Sequence, residues 1–449
     1  MIIEFRVTNY RSFKTEQTLN LAASNYDKSL PDNVMNPGLP ALPELRLVKT
    51  VALYGPNAGG KTNLLRALQF LQWLVVNSAT GQQPEAPIPS ETFRLDPETE
   101  SQPTILALTF VAERVRYELA VAVTRERVVQ ERLVAYPAGR AQVWYDRVWD
   151  PKAGAYDWSP AQPTDFKRDP GIMEKTRKNA LFLSTAAQWN NEQVVPIYRW
   201  FANELRFLNL AAGAAVDPSF TARMIGQHPD RKNALQGLLK RADLGLVGVD
   251  AMERDIPSDP TDKWRKAFES VEKELGQEIL PRKTWEITFR HEGKAGKVVP
   301  LDWQSESAGT CRFFSLLGPG IDVVANRYVI CIDELDTSLH PSLVAELLRL
   351  FFQSTNMNPG AQLIFTTHNP LLLDITLLRR DQVWFADKDH EGASFLYPLT
   401  DYKPRADESL VRGYLSGRYG AVPFIPKGLT EGAASGDNTI PAKEASHAT

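Results

Sequence analysis

The sequence has few cysteines, little net charge and no long hydrophobic run, and each shortage argues against a class of protein. Only two cysteines, Cys311 and Cys331, occur among 449 residues, and both lie in apolar segments. Two buried thiols in a reducing compartment fit this pattern better than a single disulfide between core elements. The net charge of −3 argues against a uniformly basic surface for nucleic acid, although 51 lysines and arginines leave room for a local basic patch.

Hydrophobic residues are not concentrated enough to cross a membrane. The longest apolar run, residues 64–76, is interrupted by Arg66, Gln69 and Gln72, and it is shorter than the roughly 20 residues that span a bilayer. Residues 1–13 become polar after a few positions, unlike a signal peptide. We therefore expect a soluble, cytoplasmic protein. Its 449 residues, 43% hydrophobic and 23% charged, indicate a globular chain of two joined lobes or domains.

Apolar periodicity predicts both strands and helices. Alternation and short buried runs predict strands at residues 2–8, 18–23, 47–53, 104–111, 115–123, 128–135, 142–149, 181–185, 284–290, 297–301, 328–332, 362–366, 382–386 and 394–398. Spacing of three and four residues predicts helices at residues 62–77, most of 192–246, 261–276, 310–325, 341–353 and 369–378. The predicted class is α/β, with an antiparallel β lobe at residues 104–149 and an inserted helical subdomain.

A glycine-rich segment between a predicted strand and a predicted helix matches the pattern of a phosphate-binding loop. Its residues are Gly55, Pro56, Asn57, Ala58, Gly59, Gly60, Lys61 and Thr62. The glycines let backbone N–H groups turn toward an anion, and the helix that follows begins at its positive end. Lys61 would reach the β- and γ-phosphates, and the Thr62 hydroxyl would bind Mg²⁺. The segment predicts a site for ATP or GTP with Mg²⁺.

Two acidic residues end the predicted strand at residues 328–332. Asp333 at its tip would hold Mg²⁺, and Glu334 beside it would act as the general base for an attacking water. A further strand, residues 362–366, is followed by His368, which can contact the γ-phosphate. Any one of these residues alone would more simply be structural, but their order along the chain favours a hydrolytic site.

Together these motifs resemble those of the ABC-type ATPases of the SMC, RecF and OLD kind. The resemblance spans most of the chain, beginning with residues 5–13, FRVTNYRSF. It is closest to a prokaryotic group of AAA-family ATPases in anti-phage and abortive-infection systems, including RloA-type and PARIS-system ATPase subunits. The segments that carry this likeness are residues 305–310 (SESAGT), 333–341 (DELDTSLHP), 366–369 (TTHN) and 414–423 (YLSGRYGAVP).

The resemblance implies further site residues. Ser307 and Gly309 would occupy the ABC signature, which contacts the γ-phosphate of ATP held by a second copy of the chain. Gln188, after the predicted strand 181–185, would be the Q-loop ligand of Mg²⁺ or of the lytic water. Residues 336–340 would form the D-loop, where His340 departs from the aspartate usual in transporter ATPases.

The resemblance also implies a domain plan and a mode of action. The expected parts are an N-terminal ATPase lobe at residues 1–190, a helical subdomain at 191–280, a C-terminal lobe at 281–427 and a disordered tail at 428–449. Each site would be completed by the partner protomer, so that ATP joins an ATP-dependent homodimer, or a higher multiple of it, and hydrolysis releases it.

Three roles remain open for such an ATPase. The first is an anti-phage switch or scaffold with a separate, nuclease-like effector protein. The second is a DNA-binding repair or chromosome-maintenance ATPase, although no sustained heptads predict coiled-coil arms. The third is a transporter subunit, against which the signature and His340 argue. Partners would then be the chain itself, an effector and, as a further option, nucleic acid, but no membrane.

Two charged groups carry a weaker functional signal. Asp387, Asp389 and Glu391 resemble an acidic metal cluster, but a solvated turn between two strands explains them better. Basic residues are candidates for contact with nucleic acid or a partner, although charged runs more often form a solvated face. They are Arg231, Lys232, Lys240, Arg241, Arg379, Arg380 and Lys388.

Overall fold

The computed structural model describes residues 1–159, 164–208, 210, 216–242, 244–255, 283–352, 360–405 and 408–423. Within them the strands are β1 (Ile2–Thr8), β2 (Gln17–Asn20), β3 (Val34–Met35), β4 (Leu47–Val48), β5 (Thr50–Tyr54), β6 (Thr104–Ala112), β7 (Val115–Val123), β8 (Val128–Tyr136), β9 (Gln142–Asp150), β10 (Ala155–Ser159), β11 (Leu205–Leu208), β12 (Leu246–Asp255), β13 (Lys283–Glu292), β14 (Val298–Asp302), β15 (Val329–Ile332), β16 (Gln362–Thr366), β17 (Val383–Lys388) and β18 (Ser394–Pro398). The α-helices are α1 (Lys61–Asn77), α2 (Pro97–Glu100), α3 (Pro170–Lys175), α4 (Phe182–Gln188), α5 (Val195–Arg199), α6 (Ser219–Gln227), α7 (Pro229–Arg241), α8 (Ala308–Asn326), α9 (Pro341–Phe352) and α10 (Leu410–Leu415).

A six-stranded sheet forms the centre of the larger part of the chain. Its strand order is β11-β15-β16-β5-β17-β18, in which the first five strands run parallel and β18 adds to the edge antiparallel. Strands β5, β15 and β16 are buried along their whole length, as strands of a covered parallel sheet are. Because these strands point the same way, the loops after all three leave the same edge of the sheet. This edge carries the predicted site.

A second, antiparallel sheet confirms the predicted β lobe. Its order is β10-β9-β8-β7-β6-β1-β2. The meander β6 to β9 follows the predicted strands closely, and β10 and β1–β2 extend it at its two ends. Alternate residues of β6, Leu106, Leu108 and Phe110, are buried in the core. The Phe110 ring stacks on Trp200 with centroids 4.5 Å apart, which packs this sheet against residues 195–205.

The fold class is the predicted one, α/β with an antiparallel β lobe. Residues 181–185 are the main exception, because helix α4 replaces the strand predicted there. The buried Glu131 carboxylate accepts hydrogen bonds from the backbone N–H groups of Phe182 at 2.5 Å and Leu183 at 2.9 Å. These acceptors satisfy N–H groups that otherwise remain unpaired at a helix start. Local periodicity does not reveal this cap, since Glu131 lies 51 residues earlier.

Other predicted elements differ more locally. The region predicted as mostly helical, residues 192–246, contains α5, a π-helical turn at Trp200–Glu204, and strand β11. The helix predicted at residues 369–378 is a 3-10 turn, Pro370–Leu372, followed by further turns. There the side chains of Asn369 and Asp374 accept hydrogen bonds from nearby backbone N–H groups, which compete with helix formation. The helix predicted at residues 261–276 and the tail at 428–449 lie outside the described residues.

The chain divides into two compact units. The larger comprises Met1–Leu210, Arg327–Leu335 and Phe351–Thr449, and the smaller comprises Ala211–Asn326 and Asp336–Leu350. In the smaller unit, β12, β13 and β14 form an antiparallel sheet whose β13–β14 hairpin confirms the predicted one. The boundaries expected from the sequence, 1–190, 191–280, 281–427 and 428–449, stay predictions. No helix within the described ranges is long and apolar enough to cross a membrane.

Candidate nucleotide-binding site

The phosphate loop connects the end of β5 to the start of α1. Its backbone takes positive φ angles at Gly55 (146°), Ala58 (64°) and Gly60 (111°). A Cβ atom on Gly55 would lie 2.1 Å from the Ala386 carbonyl oxygen, and one on Gly60 would lie 2.4 Å from Ser394 Oγ. Glycine is therefore required at both positions, for conformation and for space. The loop keeps this shape because strand β17 and the first residue of β18 lie against it.

The Lys61 side chain lies inside the loop. It is only 5% exposed, and its Nζ donates hydrogen bonds to the carbonyl oxygens of Gly55 at 2.8 Å and Pro56 at 3.0 Å. The ammonium group is thus held next to the loop backbone, at the start of α1, where the helix dipole also favours negative charge. Lys61 thus lies where a phosphate-binding loop needs a cation.

Thr62 and Asp333 come together at the edge of the central sheet, although they are far apart in sequence. The Thr62 hydroxyl lies 3.1 Å from Oδ1 and 2.9 Å from Oδ2 of Asp333. Asp333 directly follows β15 and is 7% exposed. A hydroxyl and a carboxylate oxygen are ligands of the kind that Mg²⁺ prefers. The donor set at this point therefore fits Mg²⁺, and the glycine-lined loop beside it fits a phosphate chain.

Thr366, the last residue of β16, ties the two acidic residues together. Its hydroxyl donates to Asp333 Oδ1 at 2.6 Å and accepts a hydrogen bond from the Glu334 backbone N–H at 2.7 Å. Glu334 has a left-handed backbone conformation with φ of 50°, and the residue is exposed. A non-glycine residue in that conformation is held by its surroundings, and such strain is common at functional sites. Here the Thr366 bond holds it.

His368 lies at the same edge of the sheet, two residues after the end of β16. The backbone N–H of Thr367 donates to the Leu53 carbonyl of β5 at 3.1 Å, so β16 remains paired with the loop-bearing strand up to this point. His368 is the next residue, and it is exposed. The structure therefore brings Lys61, Thr62, Asp333, Glu334 and His368 to one edge of one sheet.

Ser307 and Gly309 lie in the smaller unit, at the start of α8. Ser307 Oγ accepts a hydrogen bond from the Thr310 backbone N–H at 3.0 Å and lies 2.9 Å from the Thr310 hydroxyl. This is the bonding of an N-terminal helix cap. Gly309 faces the Ser338 carbonyl oxygen, which would lie 3.0 Å from an added Cβ. Ser307 and Gly309, which were predicted to form the signature, thus lie at the positive end of a long helix.

Gln188 is not placed as the sequence suggested. It is the exposed last residue of helix α4, so the strand on which its assignment depended is absent. The chain before it is bonded to the far end of α1, since Leu181 N donates to Ser78 Oγ at 3.1 Å. The chain after it is bonded there too, since the Tyr198 hydroxyl donates to the Val76 carbonyl at 3.3 Å. Metal binding by Gln188 stays a prediction, without this structural premise.

Sequence reasoning missed several residues that shape the site. The motif at residues 366–369 contains Thr366, but it does not indicate that this hydroxyl makes hydrogen bonds to both Asp333 and Glu334. Ser12 Oγ accepts a hydrogen bond from Asn63 of α1 at 2.8 Å, and the Ser12 carbonyl accepts one from Ser394 N at 2.6 Å. A polar residue at the end of a buried strand is the one signal that points to Thr366. No local pattern connects Ser12 to the other two.

The contacts of the turn between β17 and β18 support its interpretation as a structural turn and not as a metal cluster. Asp387 accepts hydrogen bonds from the backbone of Lys388 and Ala421, and Asp389 accepts two from its own turn. The carboxylate of Glu391 pairs with Lys14 at 2.7 Å. These bonds account for all three acidic side chains without a metal.

Several of the basic candidates are also engaged within the fold. Arg379 is 3% exposed and bonds Asp381 at 2.6 Å. Arg231 pairs with Asp322 at 2.9 Å, and Lys232 pairs with Asp250 at 2.7 Å. These three side chains have structural partners, which weakens the case for them as a nucleic-acid surface.

Fold and loop together define a P-loop NTPase with the ABC-type arrangement of strands. A family model described as "AAA domain, putative AbiEii toxin, Type IV TA system" matches residues 51–374, well over half of the chain. The chain belongs to this family. The matched region begins in β5 and extends past His368, so it contains the phosphate loop and the acidic pair.

Solved structures give a more distant comparison. The SMC head domain from Thermotoga maritima is 11% identical with a TM-score of 0.38, over 88% of this chain and 98% of that one. The SmcHead bound to the C-winged helix domain of ScpA is 13% identical with a TM-score of 0.39, over 90% of this chain and 99% of that one. No curated protein matches the sequence.

Proposed function

We propose that the protein binds and hydrolyses ATP with Mg²⁺ at the edge of the central sheet. One observation carries this proposal: the Thr62 hydroxyl lies 2.9 Å from the Asp333 carboxylate, beside a loop that encloses the Lys61 ammonium group. These are the groups that hold phosphates and a divalent cation in P-loop enzymes. Membership of the AAA-domain family supports the same chemistry.

Each residue of the site has a part in the proposed reaction. The loop N–H groups and Lys61 bind the β- and γ-phosphates, and Thr62 and Asp333 hold Mg²⁺, which neutralises charge on the phosphates. Glu334 accepts the proton of the attacking water as general base. His368 contacts the γ-phosphate from the neighbouring strand end. Thr366 keeps Asp333 and Glu334 in the required orientation.

A second copy of the chain completes each site in this proposal. Ser307, Gly309 and the N-terminus of α8 supply hydrogen-bond donors and a positive dipole, which suit the γ-phosphate of ATP bound to the partner. ATP then binds the closed dimer better than the open one, so it shifts the population toward closure. Hydrolysis removes the γ-phosphate and returns the dimer to the open state.

The biological role we propose is anti-phage defence with a separate effector protein. The family description refers to toxins of a toxin–antitoxin system, and the motifs at residues 305–310 and 414–423 resemble those of abortive-infection ATPases. A nucleotide-gated dimer is suited to hold a toxic partner in one state and release it in the other. Arg379, Arg231 and Lys232 each pair with a carboxylate of the chain itself, so they do not support a nucleic-acid surface.

The test is ATP turnover as a function of protein concentration, with Lys61→Ala and Glu334→Gln as variants. We expect the specific activity to rise with concentration because two chains share each site. Glu334→Gln should bind ATP and dimerise without turnover, whereas Lys61→Ala should do neither. Mass by light scattering, with and without ATP, reports the dimer.

Two outcomes would contradict the proposal. Turnover that is independent of concentration at a constant monomer mass would remove the role of the second copy and of Ser307. Turnover that survives in Glu334→Gln would remove the general base. The ATP-trapped Glu334→Gln dimer is also the bait for the effector, with Lys61→Ala as the matched control.

A further inference from the structure

The motif at residues 414–423 has no part in the proposed chemistry, yet it lies behind the phosphate loop. We call residues 410–423, which comprise α10 and the turns after it, the C-terminal clasp. The Tyr414 ring packs edge-on against Tyr54, the last residue of β5, with centroids 5.7 Å apart. It also stacks on Phe385 of β17 at 5.8 Å, and it is 6% exposed. The clasp therefore contacts the strands on which the loop rests.

The Tyr414 hydroxyl joins the phosphate loop to the clasp. It donates to the Ala421 carbonyl at 3.0 Å, and the Gly55 backbone N–H donates to it. Burial raises the pKa of Tyr414 to about 12, against the opposing effect of the Gly55 N–H, so the hydroxyl stays protonated at neutral pH. The Gly55 carbonyl accepts from Lys61 Nζ at 2.8 Å. Gly55 is thus held at its N–H by Tyr414 and at its carbonyl by Lys61.

A second hydrogen bond joins the clasp to strand β17, which lies against the loop. The Ala421 backbone N–H donates to Asp387 Oδ2 at 3.0 Å. The preceding residue, Ala386, has the carbonyl oxygen that lies so close to Gly55 and Gly59 that neither can carry a Cβ. Ala421 therefore bonds Tyr414 with its carbonyl and Asp387 with its N–H. The first bond ends at Tyr414, which contacts Gly55. The second ends at Asp387 in strand β17, which lies against the loop.

We propose that Tyr414 is a positioning residue for the phosphate loop, which acts by fixing the Gly55 peptide in its binding conformation. Without the hydroxyl, the Gly55 N–H loses this partner, and the residue is held less firmly, with the Lys61 bond to its carbonyl remaining. The loop then spends less time in the conformation that binds a triphosphate, and the apparent Kd rises in proportion. This inference rests on the proposed nucleotide site and adds a residue outside every motif assigned to it.

The test compares Tyr414→Phe with Tyr156→Phe. The control removes a similar hydroxyl, which donates to the Val128 carbonyl at 2.8 Å in the β lobe. Two measurements are made: the Kd of a fluorescent N-methylanthraniloyl ATP with Mg²⁺, and amide hydrogen exchange of residues 55–60 without nucleotide. For Tyr414→Phe we expect a Kd about 3- to 10-fold higher, the effect of one hydrogen bond, and faster loop exchange. The control should match wild type in both.

The two measurements separate this inference from the proposed function. Wild-type Kd and control-like exchange in Tyr414→Phe would overturn the inference, even with nucleotide binding intact. Equal binding of the nucleotide by wild type and Lys61→Ala would instead overturn the proposed site. A thermal midpoint that falls well below that of Tyr156→Phe, with the exchange of distant strands also faster, would show a general loss of stability and would likewise overturn a specific role for Tyr414.

Discussion

At the scale of single residues, Thr366 decides how the acidic pair is presented. One hydroxyl donates to the Asp333 carboxylate and accepts from the Glu334 backbone N–H, so a single side chain orients both. Asp333 is buried, whereas Glu334 is exposed. This arrangement places the proposed metal ligand inside the fold and the proposed base at the surface, where water has access to it.

We expect Thr366→Val to lower kcat for ATP by about 10-fold or more, because supporting residues of metal sites contribute effects of this size. Valine keeps the shape of threonine but loses both hydrogen bonds. Thr366→Ser retains the hydroxyl and should keep most of the activity, which makes it the matched control. Steady-state turnover of the two variants at equal concentration gives the comparison. Equal activity in both would show that the hydroxyl does not orient the acidic pair.

At the scale of elements, helix α4 depends on a buried ionic group in the β lobe. Glu131 and Arg147 are both fully buried, and the carboxylate also accepts from the Tyr145 hydroxyl at 2.8 Å. Burial raises the pKa of Glu131, while Arg147 and the N–H groups of α4 act in the opposite direction. The cap thus joins strand β8 to a helix that the local sequence does not favour.

Removing this carboxylate should be costly. We expect Glu131→Ala to lower the free energy of unfolding by about 3–5 kcal/mol, because it leaves Arg147 as a buried charge without its partner and two N–H groups of α4 without an acceptor. Urea unfolding followed by far-UV circular dichroism measures the change. Glu126→Ala removes a carboxylate paired with Arg127 at the surface and should have little effect. Similar midpoints for the two variants would contradict the role of Glu131.

At the scale of the whole molecule, the proposed site is divided between the two compact units. The phosphate loop, Asp333, Glu334 and His368 belong to the larger unit, whereas Ser307 and Gly309 belong to the smaller one. In the proposed dimer, the larger unit of one copy meets the smaller unit of the other. Mixing two inactive variants tests this division directly.

Lys61→Ala and Ser307→Arg should each be inactive alone and should regain activity when mixed. A mixed dimer then contains one intact site, made of the loop from the Ser307→Arg chain and the signature from the Lys61→Ala chain. After exchange of subunits we expect up to about half of wild-type turnover per mixed dimer, since each mixed dimer has one intact site of two. The control is each variant alone at the total concentration of the mixture. No recovery after demonstrated exchange would show that the sites are not shared in this way.

Much of the candidate site was predictable because its motifs are local. The loop at residues 55–62 and the pair Asp333 and Glu334 follow buried strands, and parallel strands bring their ends to one edge. Gln188 was less predictable, since its assignment required a strand that a distant carboxylate converts into a helix. Four-residue β11 was also missed, because so short a parallel strand has no periodicity of its own.

The sequence by itself determined the chemistry: glycines that permit positive φ, a lysine and threonine at a helix start, and carboxylates at a strand end are properties of residue type and spacing. The tertiary structure alone decided which distant groups support that chemistry. Glu131 beneath α4, Thr366 between Asp333 and Glu334, and Tyr414 behind Gly55 all act through contacts between residues far apart in the chain. Such contacts follow from how sheets and turns pack in space, and no local pattern encodes them.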